Sequence, residues 1–211
     1  MKKILPTIFL LIGCTITIHA QQRTVAECTI TYAINLLNAG DSDLHETLKL
    51  SSETIYIKAN NVRIDLVSPA FKQTTFFDKS LKEAVVLREF GSNKFINKLN
   101  AKEWGEANKK FDSLELKFQP ETKNILGYEC KKVEINARNG NLYTVFYVPS
   151  IIPSVKEYEY VFKDVPGLIL AFQTTDSKLN TIQYVATKIN FNPIPIHVFD
   201  VPTEGYRLMP N

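Results

Sequence analysis

Apolar and polar residues alternate with a period of two along most of this chain. Cys28, Ile30, Tyr32 and Ile34 interleave with Thr29, Thr31 and Ala33, the pattern of a strand with one face buried. Residues 54–58 and 62–66 repeat the pattern around Asn60-Asn61, which predicts a hairpin turning at the paired asparagines. Residues 71–77 and 84–90 flank Asp78-Lys79-Ser80 as a second hairpin, and Gly91-Ser92-Asn93 turns the chain into 94–97. Further strands are predicted over 114–118, 128–135, 142–148, 158–162, 168–174 and 181–191. Asn139-Gly140-Asn141 joins 128–135 to 142–148 as a tight turn, because Asn and Gly tolerate positive φ.

One segment changes period. Trp104, Ala107, Phe111 and Leu114 recur at spacings of three and four, which predicts an amphipathic helix. Asn100 is its N-cap, with Glu103 placed three residues on to complete a capping box. Gly105 limits it to two or three turns. The tail, with Pro193, Pro195 and Pro202, is expected to run extended along an edge. No repeat or linker divides residues 21–211, so the reading is one mainly β, antiparallel domain with a small helix.

The stretch Asp164-Val165-Pro166-Gly167-Leu168-Ile169-Leu170-Ala171-Phe172 stands apart. Val165-Pro166-Gly167 reads as a turn in which Pro fixes φ and Gly takes the left-handed position. The strand after it has no polar face. It must be covered on both sides, by core on one and by a helix, a loop or a ligand on the other.

The N-terminus bears on location. Lys2-Lys3, a mostly apolar run to Ile18 and a small residue at Ala20 describe a secretory signal over residues 1–20. Leu11-Ile12-Gly13-Cys14 offers a competing lipoprotein site, in which Cys14 would be acylated and anchor the protein to a membrane. Export to the periplasm follows from either. Cleavage after Ala20 removes Lys2 and Lys3 and no acidic residue, so the formal charge of +3 falls by two. A near-neutral body without a basic run argues against nucleic acid as a partner. Of three cysteines, Cys28 and Cys130 remain. An exported pair can form a disulfide, or the two can be small buried hydrophobes.

Catalytic chemistry is sparse. His45 and His197 are far apart and adjoin no other metal-ligand type, and Asp41-Ser42-Asp43 lacks the oxygens of a calcium loop. No nucleophile elbow, Walker loop or dinucleotide fingerprint is present. A non-enzymatic protein with no catalytic residues, cofactor or metal is expected.

Pro166-Gly167-Leu168-Ile169 resembles the last four positions of the motif that names the GLPGLI family, exported proteins of Bacteroidetes, with Asp164-Val165 departing from its Gly-Leu. Lys123-Asn124-Ile125-Leu126-Gly127-Tyr128-Glu129-Cys130-Lys131-Lys132 resembles that family's Gly-Tyr-x-Cys segment. Tyr147-Val148-Pro149 and Ile152-Pro153 resemble its aromatic and Ile-Pro stretch, although Ser154-Val155-Lys156 replaces the usual Gly-Pro. Phe199-Asp200-Val201-Pro202-Thr203-Glu204-Gly205-Tyr206 is similar to a closing phrase of exported proteins shaped like the lipoprotein carriers LolA and LolB.

The resemblance implies a curved antiparallel half-barrel wrapping a short helix, with an apolar concavity suited to acyl chains. The expected function is therefore to bind an acyl chain, a lipid or a lipid-modified peptide. The expected lining is Trp104, Phe111, Leu168, Ile169, Leu170 and Phe172. The alternative is an interaction module with a solid β core that docks on an envelope protein partner, adding its Pro-rich tail to a partner's sheet.

Overall fold

The computed structural model describes residues 22–38, 42–137, 141–175, 181–202 and 204–209. The signal expected over 1–20, Cys14, Asp41 and the Asn139-Gly140 turn lie outside them. The short β1 (Arg23–Val25) leads into β2 (Glu27–Leu36), where Cys28, Ile30, Tyr32, Ile34 and Leu36 are buried, as the alternation requires. Helix α1 (Ser42–Lys49) stands where a polar loop was expected; Leu44 and Leu48, four apart, share one of its faces.

A meander follows: β3 (Ser52–Lys58), β4 (Asn61–Val67), β5 (Lys72–Asp78), β6 (Glu83–Phe90) and β7 (Asn93–Leu99). The first hairpin turns at Ala59-Asn60, one residue earlier than predicted, with Ala59 at φ 50°.

Helix α2 (Ala101–Asn108) forms with the cap read from its sequence. The Asn100 side chain accepts from the Lys102 and Glu103 amides, and Glu103 Oε2 accepts from the Asn100 amide at 2.9 Å. A 3-10 turn over Lys109–Phe111 then delivers the chain to β8 (Glu115–Ile125). The predicted helix thus ends before Leu114. Hairpin β8–β9 (Tyr128–Asn136) turns on Leu126 and Gly127, both at positive φ.

After β10 (Leu142–Val148) and β11 (Ile151–Pro153) the chain makes an excursion over 154–167. Its Tyr160–Phe162 is a 3-10 turn rather than the predicted strand. β12 (Leu168–Thr175), β13 (Thr181–Asn190) and β14 (Arg207–Leu208) complete the chain.

Twelve strands make one open, curved sheet in the order β14-β7-β6-β5-β4-β3-β2-β13-β12-β10-β9-β8, antiparallel except for β14 on β7. The fold class is therefore the expected one. β1 and β11 pair separately, in parallel. α2 and the excursion lie against one face, which we call inner. The tail straps the other: Val201 and Tyr206 pack on Phe76, Leu87 and Ile96. Tyr206 donates its hydroxyl to Glu89 at 3.0 Å, and β14 pairs with β7. The tail thus runs at an edge, and that edge is its own.

Candidate functional site: a cleft beneath helix α2

Period-two alternation puts every second residue of the meander on the inner face, and register joins them into rows. One row runs Ile30, Ile55, Ile64, Thr75, Val86. The next runs Tyr32, Glu53, Leu66, Gln73, Arg88. The first is nearly all apolar; the second carries an acid, an amide and a guanidinium where core residues are expected.

α2 does not close fully onto these rows. Trp104 packs its ring on Phe77, centroids 5.4 Å apart. Beside it a cleft of about 470 Å³ lies between Ala107 and Asn108 above, Ile64, Leu66, Thr75 and Val86 below, and Tyr158-Glu159 of the excursion. That volume falls within the rough 300–1,000 Å³ span of small-molecule sites. Trp104 also walls a second cleft of about 260 Å³, with Phe77, Tyr160, Lys79, Lys82 and Lys163.

The electrostatics of the larger cleft are unusual. Glu53 is only 7% exposed, and its Oε1 is buried without a hydrogen-bond partner. Burial pushes its carboxyl up to about 7. Glu159 rises well above the usual carboxylate range, chiefly through burial and further through the Glu53 charge. Two carboxyls so placed disfavour each other's ionised form. Among the described residues no ion pair joins either to a cation. Trp104 Nε1 is likewise buried and unpartnered. Arg88 is engaged elsewhere: its Nε donates to Gln73 Oε1 at 2.9 Å and its Nη1 to Met209 Sδ at 3.2 Å. The site therefore offers one unpartnered donor, two protonatable carboxyls, the cations Arg88 and Lys110, and a floor that mixes Ile64, Leu66 and Val86 with Gln73 and Thr75.

Of the residues expected to line a ligand site, Trp104 does line a cleft. Phe111, Leu168, Ile169, Leu170 and Phe172 are packed by the chain itself. Phe172 stacks on Tyr184, with centroids 4.4 Å apart, and meets Phe162 of the excursion at 4.9 Å. Phe111 and Ile169 pack on that same cluster, with Val133, Ile135 and Val145. Leu168 and Ala171, opposite Val148 and Phe146, are buried on one side of β12 in the same cluster as Leu170, while Ile169 and Phe172, opposite Tyr147 and Val145, face the other. The doubly apolar strand is covered twice, as its composition demands, and by protein on both sides.

Its entrance explains the Pro-Gly pair. Gly167 does not take the left-handed conformation expected of it. A Cβ there would sit 2.3 Å from the Val148 carbonyl oxygen and 2.7 Å from Tyr147 Cδ2, so the glycine is required by close backbone approach.

Cys28 and Cys130 are free, buried thiols, the small-hydrophobe alternative. Burial raises them to about 12 and about 11, which makes both poor nucleophiles. His45 and His197 are exposed on separate elements. No group of three or more His, Cys, Asp or Glu able to hold a metal occurs among the described residues.

Glu53, Glu159 and Arg88 were missed by sequence reasoning. For Glu53 the signal existed: it is in phase with Ile55 and Ile57, so an inward acid follows once the strand is extended back to Ser52. Glu159 carried no such signal, since its position depends on how the excursion folds.

Comparison with known proteins bears on the fold. No family model matches the chain, and no curated protein matches it by sequence. Among solved structures, PNGF-II is similar over 86% of this chain, with a TM-score of 0.51 and 14% identity. The chain spans only 30% of the length of PNGF-II. MucB matches over 85% of this chain and 58% of its own, at 11% identity and a TM-score of 0.44. A LolA superfamily protein from Nitrosomonas europaea matches over 83% of this chain and 90% of its own, at 12% identity and a TM-score of 0.35. At this identity the likeness to PNGF-II is one of fold. No helix among the described residues is long and apolar enough to cross a membrane.

Proposed function

We propose that this protein is a non-enzymatic binding protein of the cell envelope, holding one amphipathic small molecule in the cleft beneath α2. A single observation carries the reading. Glu53 and Trp104, which line one cleft of about 470 Å³ together with Ile64, Leu66 and Val86, each carry a buried polar atom, Oε1 and Nε1, that lacks a partner. Leaving such groups unmet costs on the order of 1–3 kcal/mol each, a cost that a ligand with matching groups removes. The export signal expected over 1–20 and the likeness of Pro166-Gly167-Leu168-Ile169 to the GLPGLI motif support a periplasmic setting, or a membrane-anchored one through Cys14. An acyl chain suits the apolar part, at roughly 0.8 kcal/mol per methylene buried, from which association costs are subtracted.

Native purification from the envelope fraction, solvent extraction and mass spectrometry test this reading. The expected result is one amphiphile per chain. Protein that carries no small molecule, and whose Trp104 emission no amphiphile alters, would end it.

A second reading, a ligand-free module that docks on an envelope protein, is favoured by the open β8 edge, where Phe118 is 58% exposed. Equal recovery of one partner by wild type and by Phe118→Asp would argue against docking there.

A further inference from the structure

The chemistry of the ligand's polar end can be read from what the cleft fails to satisfy, an inference that rests on the binding reading above. Glu53 on β3 and Glu159 on the excursion both face the cleft, with no cation of the described chain paired to either. The cations nearest to hand are committed or peripheral. Arg88 on β6 is held by Gln73 and Met209, and Lys110, which also borders the cleft, lies 5.0 Å over the Phe111 ring. The remaining titratable neighbours are Tyr32 on β2, Tyr158 on the excursion and Tyr184 on β13, together with Cys28. All four stay neutral, because burial raises each of them. Among the described residues, therefore, no ion pair compensates either carboxyl.

We propose that the cleft selects an amphiphile bearing a primary ammonium group, which Glu53 and Glu159 hold between them while Trp104 Nε1 donates to an oxygen beside it. An ammonium brings three donors and one positive charge, enough to meet Glu53 Oε1 and a second carboxylate at once. A divalent metal fits less well. Calcium takes six to eight oxygens, and no group of three acid, His or Cys side chains exists among the described residues. A carboxylate or phosphate head brings no positive charge to either acid and faces the Glu53 charge above about pH 7, so it fits less well.

Trp104 is the chain's only tryptophan, so its emission reports on the cleft. The full chain is titrated at pH 8 with dodecylamine, dodecanol and dodecanoate, each below its micelle concentration, in wild type, Glu53→Gln and Glu159→Gln. Wild type is expected to bind the amine at least about tenfold tighter than the alcohol, the scale of a charge-assisted hydrogen bond, and dodecanoate weakest. Each variant should bring the amine within about twofold of the alcohol, while a far-UV circular dichroism spectrum matching wild type reports that the variant is folded. Wild type that binds the alcohol as tightly as the amine, or prefers dodecanoate, overturns the ammonium proposal and leaves the binding reading standing. Unchanged emission with all three overturns both.

Discussion

Replacing Glu53 with glutamine removes an ionisable group from the cleft while keeping its size and one carbonyl oxygen. The carboxyl is raised from an ordinary 4.5 to about 7 by burial. Because its proton affinity is higher in the folded chain than in the unfolded one, the folded state binds more protons between these values, and stability falls as pH rises through them. The penalty is absent below about pH 4.5 and complete above about pH 7. With each tenfold change in proton affinity worth ~1.4 kcal/mol, it amounts to about 3 kcal/mol at pH 8. Glu159, raised in the same direction, adds to the slope. Urea unfolding followed by Trp104 emission at pH 5 and pH 8 measures it. Wild type should lose roughly 2–3 kcal/mol more than Glu53→Gln between the two, and the variant should be the more stable protein at pH 8. Equal pH dependence in the two proteins would refute the account of a buried, uncompensated acid.

Other consequences follow from the packing. Gly167→Ala forces a Cβ against the Val148 carbonyl at 2.3 Å and should cost about 3 kcal/mol or more, read as a lower urea midpoint; a midpoint equal to wild type contradicts the close approach. Leu170→Ala should cost about 2–5 kcal/mol, because the side chain is fully buried. It should leave amphiphile affinity unchanged, since β12 faces protein rather than ligand. Asn100→Ala removes the capping box of α2 and should cost about 1 kcal/mol, with faster amide exchange over Ala101–Asn108. Thiol titration in denaturant without reductant should count two reactive groups in the chain cleaved after Ala20, as free Cys28 and Cys130 require; a count of zero means a disulfide.

The start of the meander was legible because β2 and β3 bury alternate residues, so alternation and register coincide. The α2 cap was legible because Asn100 and Glu103 act locally. Three elements escaped for physical reasons. β8 is an edge strand exposed along most of its length, so it carries no hydrophobic period past Phe118. Tyr158, Tyr160 and Phe162 alternate like a strand, yet the excursion must turn to bring Phe162 onto Phe172, and tertiary contact prevails over local pattern. In α1 the polar start at Ser42-Asp43 looked like a loop and proved to be the first turn of a helix. The cleft itself is a matter of where α2 stops short of the sheet. Period alone gives the inward phase of Glu53 but neither its missing partner nor the approach of Glu159. The apolar strand was read correctly as needing cover on both flanks; which atoms supply the cover depends on the fold of 154–167.

The central claim is that the space under α2 accommodates a single amphiphile. Titrating wild-type protein with dodecanol while following Trp104 emission tests it most directly. The account predicts a blue shift that saturates at one molecule per chain and vanishes when Leu66, which lines the cleft, is replaced by the bulkier phenylalanine, with Trp104 kept as the reporter. A response that never saturates, or none, contradicts it.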